Sequence, residues 1–122
     1  MTWKNDKTGK MLSVDPHWST GQLQLSIRDG WTTGNEGWRD TQQSDGGYTE
    51  KNLVHGGCLD GNWGQAYWNS CNGSDWQHWY EVSTSTGWKL QSVHTGYVLD
   101  ADANTVYTNP DYGDGDRYQR WH

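Results

Sequence analysis

The chain has 122 residues, enough for one domain, and a net charge of −6 from nine Lys and Arg against fifteen Asp and Glu. That balance excludes the basic stripe a nucleic-acid binder needs, and no apolar run approaches membrane-spanning length, which excludes insertion by a helix. Leu, Ile and Val number only fourteen and Phe is absent, but ten Trp and seven Tyr can build a core in their place, since each buries on the order of 150–250 Å².

In chain order, Met1 leads directly into polar sequence with no visible signal peptide, the pattern of a cytosolic chain or of a mature or excised domain. "GKML" at 9–12 opens the first apolar segment, followed by Ser13 and the long loop "DPHWSTGQ" at 15–22. "GNEGWR" at 34–39 carries Trp38. "GGCL" at 56–59 is followed by Asp60, and "SDWQHW" at 74–79 carries Gln77 and Trp79. "WYEVS" from 79, "WKLQSV" from 88, "YVLDA" from 97 and "TVYT" from 105 read as strands between the turn clusters "NGSD" and "GDGD". "RYQRWH" at 117–122 repeats the Gln-x-Trp pair as Gln119 and Trp121. No stretch holds a 3.6-residue period over three turns, so helix is not expected.

The segments form a repeat. "GKML", "GGCL" and "GYVL" (96–99) share Gly-x-x-Leu, and each Leu is followed 20 to 26 residues later by Trp38, Trp79 or Trp121. Three units result, at about 1–43, 44–84 and 85–122, and such periodicity governs the architecture. A Trp present in every unit is expected in a common core. Residues i and i+2 of a strand share a face, so Gln77 and Gln119 are expected to point the same way as Trp79 and Trp121. Three all-β units of this size are thin for a solenoid, and closure removes the sheet edges.

The middle unit, "GGCLDGNWGQAYWNSCNGSDWQHW", has a Cys-Leu-Asp start, a Ser-Cys-Asn-Gly turn and a Gln-x-Trp end. With the other two units it resembles the ricin-type (Gln-x-Trp)₃ β-trefoil lectins and carbohydrate-binding modules, over essentially the whole chain. The third unit, with Leu-Asp, Val-Tyr-Thr and Tyr-Gln-x-Trp, is similar to the repeats of actinohivin-like mannose-binding lectins. The resemblance implies an all-β, twelve-strand β-trefoil of pseudo-threefold symmetry, a single domain over 1–122, with up to one shallow sugar site per unit. It also implies a Cys58–Cys71 disulfide and hence a secreted setting; cysteine spacing alone leaves two free thiols equally open.

Carried over residue by residue, the family pattern places the second site on Asp60, Tyr67, Asn72, Trp76 and Gln77. Asp60 would accept sugar hydroxyls, Gln77 would hold it, Tyr67 would form an aromatic wall, and Asn72 and Trp76 would complete the rim. In the third unit these roles fall on Asp100, Tyr107, Tyr118 and Gln119, with Tyr112 or Asp111 in the place of Asn72. The two Asp are expected to be partly exposed. The alternative for them is a turn residue bonding local backbone, and for the aromatics, core packing. In the first unit Ser13, Asn35 and Glu36 replace Asp, aromatic and Gln, and Ser26 stands near the wall position, so that site is expected to be dead for sugar. Trp18 and Trp31 there are left to pack the loop or to make another contact.

The expected partners are therefore glycans of mannose or galactose type, bound by a free lectin or by the targeting piece of a larger toxin or hydrolase assembly. A protein-binding trefoil, as an adaptor subunit or protease inhibitor, is the alternative, since fold does not fix function. An enzyme is not expected: the five His have no metal-ligand spacing, no nucleophile motif appears, and no cofactor or metal is implied. "DYGDGD" at 111–116 lacks the order of an EF-hand and reads as a solvated turn. "NGS" at 72–74 is an N-glycosylation sequon, and a glycan there would block the second site.

Overall fold

The computed structural model describes residues 1–30 and 34–122; Trp31 lies outside them. Among the described residues ten strands run in chain order: β1 (Met11–Pro16), β2 (Leu23–Arg28), β3 (Trp38–Gln42), β4 (Tyr48–Asn52), β5 (Cys58–Gly61), β6 (Ala66–Asn69), β7 (Trp79–Thr84), β8 (Gly87–Ser92), β9 (Val98–Ala101) and β10 (Val106–Asn109). All named pairings are antiparallel: β1 with β2, β3 with β4, β5 with β6, β7 with β8 and β9 with β10, while β4–β5, β4–β7 and β8–β9 join the hairpins. The two further strand positions of a twelve-strand trefoil are reduced to isolated bridges. Trp121 pairs with Asn5 and Trp88, and Lys4 pairs with Met11. Reciprocal backbone bonds of 2.8 Å between Lys4 and His122 tie these two terminal segments into an antiparallel pair.

The threefold relation is written in the hydrogen bonds. Trp38, Trp79 and Trp121 are fully buried. Each indole N–H donates to the backbone oxygen of the Leu in its own unit: Trp38 to Leu12 (3.0 Å), Trp79 to Leu59 (3.0 Å) and Trp121 to Leu99 (3.1 Å). An indole buried with its donor satisfied combines a large apolar area with no polar penalty. These six residues, with Trp3, Val14, Ile27, Leu90 and Ala101, form the core. Opposite the three Trp stand Asn52, Ser92 and Asn5.

The Gly of Gly-x-x-Leu has a conformational cause. Gly9, Gly56 and Gly96 have φ of 71°, 67° and 76°, the left-handed region that costs a Cβ-bearing residue. Their N–H groups close turns onto Asn5, Asn52 and Ser92 oxygens at 2.9–3.0 Å. Two three-residue 3₁₀ turns, Asp75–Gln77 and Arg117–Gln119, are the helical elements among the described residues. They correct the strand reading of Gln-x-Trp. Gln77 and Gln119 close these turns instead of preceding the Trp along a strand, yet both are buried like the Trp.

Candidate functional site

In the second unit, Asp60 on β5 lies directly across from Tyr67 on β6. A Cys58–Cys71 disulfide ties the start of β5 to the loop after β6, and the 3₁₀ turn brings Trp76 and Gln77 back beside them. Asp60, Asn62, Tyr67, Asn69, Asn72, Ser74 and Trp76 line one groove of about 310 Å³. The structure thus collects Asp60, Tyr67, Asn72 and Trp76 at one surface depression, with Gln77 behind it. Asn62, Asn69 and Ser74 were not anticipated. Asn69 was legible, because it follows Asp60 by nine residues as Asn109 follows Asp100.

The expectation that the two Asp are partly exposed is wrong: Asp60 is 3% and Asp100 4% exposed. Burial follows from the number of donors each carboxylate gathers. Asp60 Oδ1 accepts from the Gly61 N–H (2.8 Å), and Oδ2 accepts from Asn69 Nδ2 (3.2 Å) and Gln77 Nε2 (3.1 Å). Gln77 is the strut: its Nε2 also donates to the Ser70 oxygen (2.8 Å), and its Oε1 accepts from the Asn72 N–H (2.9 Å). A carboxylate has about four acceptor positions; these donors take three, and the Tyr67 hydroxyl bears on the same carboxylate from the facing strand. Burial first, then the Asp60 charge, pushes the Tyr67 phenol above its usual range, so it stays a neutral hydroxyl beside the carboxylate.

The third unit repeats this set. Asp100 stands across from Tyr107, accepts from the Ala101 N–H (2.7 Å), Asn109 Nδ2 (3.1 Å) and Gln119 Nε2 (3.2 Å), and Gln119 also bonds the Pro110 oxygen and the Tyr112 N–H at 2.9 Å. The last contact puts Tyr112, not Asp111, at the position of Asn72. Asp111 pairs with Lys89 (2.7 Å), Asp114 with Arg120 (2.7 Å), and Asp116 caps the second 3₁₀ turn, so "DYGDGD" spends its carboxylates on local structure. Burial and then the Asp100 charge push the Tyr107 phenol up. Tyr107 shares a cavity of about 270 Å³ with Tyr67 at the junction of the two units, whereas Tyr118 and Tyr112 line a separate outer cleft.

The rims differ. Trp76 stacks on His94 at 3.7 Å and meets Trp63 edge-on at 5.2 Å, and His94 Nδ1 bonds Asp75 at 2.8 Å. Tyr118 stands 39% exposed. In the first unit, Ser13 pairs with Ser26 across β1–β2, so Ser26 does occupy the wall position. Arg28 takes the register place of Asn69 and Asn109. It pairs with Asp15 (2.9 Å) and lies 3.4 Å from the fully buried Glu36, while Asn35 donates to Asp15 (3.1 Å). Trp18 is 92% exposed and stacks on His17.

Among curated proteins none matches the sequence. Solved structures match over the full length. A designed threefold-symmetric protein, ThreeFoil, superposes with a TM-score of 0.83 at 24% identity, covering 99% of this chain and 94% of that one. The Haemophilus ducreyi cytolethal distending toxin gives 0.80 at 16% identity, covering 100% and 80%. SeviL, solved bound to asialo-GM1 saccharide, gives 0.75 at 18% identity, covering 98% and 91%. At these identities the likeness is one of fold. The model of the ricin-type beta-trefoil lectin domain-like family matches residues 31–112. With three units closed around a Trp core and a buried Asp–Gln pair in two of them, the chain belongs to the ricin-type β-trefoil lectin domain-like family.

Proposed function

We propose that this carbohydrate-binding module takes sugars at two shallow sites, one at Asp60 and one at Asp100, and that the first unit takes none. The observation that carries the reading is the duplication of one donor set: backbone N–H, Asn and Gln converge on each Asp, and Asp60 lines a surface groove. A core packing role would need neither the carboxylate nor its three donors. A sugar hydroxyl donates to the carboxylate, a charge-assisted bond. The amide groups of Asn69 and Asn72 meet neighbouring hydroxyls, and the ring of Tyr67 or Trp76 covers the C–H face. In the first unit the guanidinium of Arg28 fills the corresponding space and there is no Asp, which supports an inactive site.

Single sites of this depth bind near millimolar, about −4 kcal/mol. Two sites on one rigid body gain avidity of about 10²–10⁴ on a branched glycan. Glycans of mannose or galactose type suit this chemistry. The disulfide supports a secreted protein, acting alone or as the targeting piece of a toxin or hydrolase assembly. The test is a glycan array followed by calorimetry with the best monosaccharide. The expected stoichiometry is two, falling to one in Asp60→Ala or Asp100→Ala and to zero in the double variant. Sugar binding that survives in a folded double variant overturns the assignment. Protein capture through the exposed Trp18 surface, with no glycan binding at all, selects the protein-binding trefoil instead.

A further inference from the structure

The barrel carries a carboxylate cluster that the sugar sites do not use. Trp38, Trp79 and Trp121 stand opposite Asn52, Ser92 and Asn5. Two residues before these partners come Glu50, Leu90 and Trp3, which are therefore threefold-equivalent core positions. Leu90 and Trp3 are buried and apolar, whereas Glu50 is 0% exposed. The scaffold fills this position with hydrocarbon in two units out of three, so the fold itself does not call for a carboxylate there.

Neither oxygen of Glu50 has a hydrogen-bond partner of sound geometry, nor has the indole N–H of Trp3; the polar groups that bear on Glu50 are that indole N–H and the Glu81 carboxyl. A buried carboxylate in that state is strongly disfavoured. Asp40 pairs with Glu50 across β3–β4, and Glu81 lies at the position equivalent to Asp40, two residues after its own Trp. One oxygen from each of Asp40, Glu50 and Glu81 falls within 4.8 Å of the other two. Among the described residues, no Lys, Arg or His forms an ion pair with any of the three. Burial, followed by Glu81, pushes the Glu50 carboxyl well up; burial raises Glu81 as well, against the opposing pull of Glu50 and with the Asp40 charge adding to it.

We propose that Asp40, Glu50 and Glu81 form a binding site for a divalent cation of the calcium class. Three carboxylate oxygens are hard ligands. Calcium holds oxygens at about 2.3–2.6 Å, so ligands on opposite sides of the ion are about 4.6–5.2 Å apart; magnesium, at about 2.0–2.1 Å, demands a tighter shell. A span of at most 4.8 Å admits either ion; one buried and two half-buried carboxylates without octahedral order suit the ion with the more flexible shell. Its two charges offset most of the three negative ones and give Glu50 the partner it lacks. Asp40 and Glu81 are only half-buried, which leaves a route in from solvent and room for water to complete the shell.

The test uses the whole chain, stripped with chelator near neutral pH. Millimolar calcium is expected to raise the melting temperature by about 5 °C. Terbium is expected to luminesce on tryptophan excitation, through the adjacent Trp3, and calcium is expected to quench that signal by competition. Glu50→Gln, Glu81→Gln and Asp40→Asn preserve side-chain shape, and each is expected to abolish both responses. Asp29→Asn, at an exposed turn, is expected to keep them. Chelated and calcium-loaded protein melting together with no terbium signal overturns the proposal. So does a response that persists in Glu50→Gln and Glu81→Gln, which places the ion elsewhere. A wild-type chain that ignores calcium but gains stability on acidification also overturns it, because the carboxylates then share protons and hold no metal.

Discussion

Asp60→Ala tests the second site and its physical basis together. The side chain is buried and receives three N–H donors, from Gly61, Asn69 and Gln77. Asn69 is exposed and can turn to water, but Gly61 and Gln77 are buried. Each buried donor left without an acceptor costs about 1–3 kcal/mol, so the truncation costs about 2–6 kcal/mol. A domain of this size is stable by about 5–15 kcal/mol, so the variant still folds at room temperature but melts about 10 °C or more below wild type. Asp60→Asn sharpens the argument. All three groups facing the carboxylate are donors, and an amide can offer an oxygen to one side only, so its NH₂ must oppose a donor on the other. Asn is therefore expected to cost nearly as much as Ala, although it matches Asp in shape. Thermal melts by circular dichroism, with sugar titration below the transition, measure both effects. An Asn variant that melts with wild type would refute the convergent-donor reasoning, and an Ala variant that melts with wild type would show that Asp60 is not held as described.

Three further outcomes are expected. Trp79→Phe removes the indole N–H that satisfies the Leu59 oxygen and leaves a void in the core; a loss of about 2–3 kcal/mol in denaturant titration is expected, and a loss under 1 kcal/mol would contradict the role given to the repeated Trp. Reducing Cys58–Cys71, whose cysteines lie 13 residues apart, is expected to cost about 3 kcal/mol in the chain-entropy model, read as a lowered melting temperature with reductant and no change in a Cys58→Ser, Cys71→Ser control. Asp6 is held below the usual carboxylate range by hydrogen bonding to Arg117, which outweighs the opposing effect of burial, with His122 adding to it. A lowered folded pKa contributes stability that is present above the unfolded value and lost as pH falls through the folded one. Wild type should therefore outlast Asp6→Asn between about pH 5 and 6, and the gap should close below about pH 4; a gap that widens in acid would reverse the assignment.

The local signals in the chain were strong wherever one residue type answers one backbone or packing demand. Gly-x-x-Leu was legible because a left-handed turn must precede each buried Leu, and only glycine enters that region without strain. The three Trp were legible because a chain so poor in aliphatics must build its core from rings. Asp60, Asp100, Gln77 and Gln119 could be singled out because they recur at matching places, and Asn69 and Asn109 carried the same signal unread. Burial of the two Asp was decided by the tertiary structure. Exposure depends on how many donors converge from other segments, and the Asn–Gln–backbone set assembles only when the 3₁₀ turn folds back over the hairpin. The cluster of Asp40, Glu50 and Glu81 was invisible for the same reason. Its members sit 10 and 31 residues apart, in strands whose side chains meet only after three units close into a barrel, where one core position holds a carboxylate while its two equivalents hold Trp3 and Leu90.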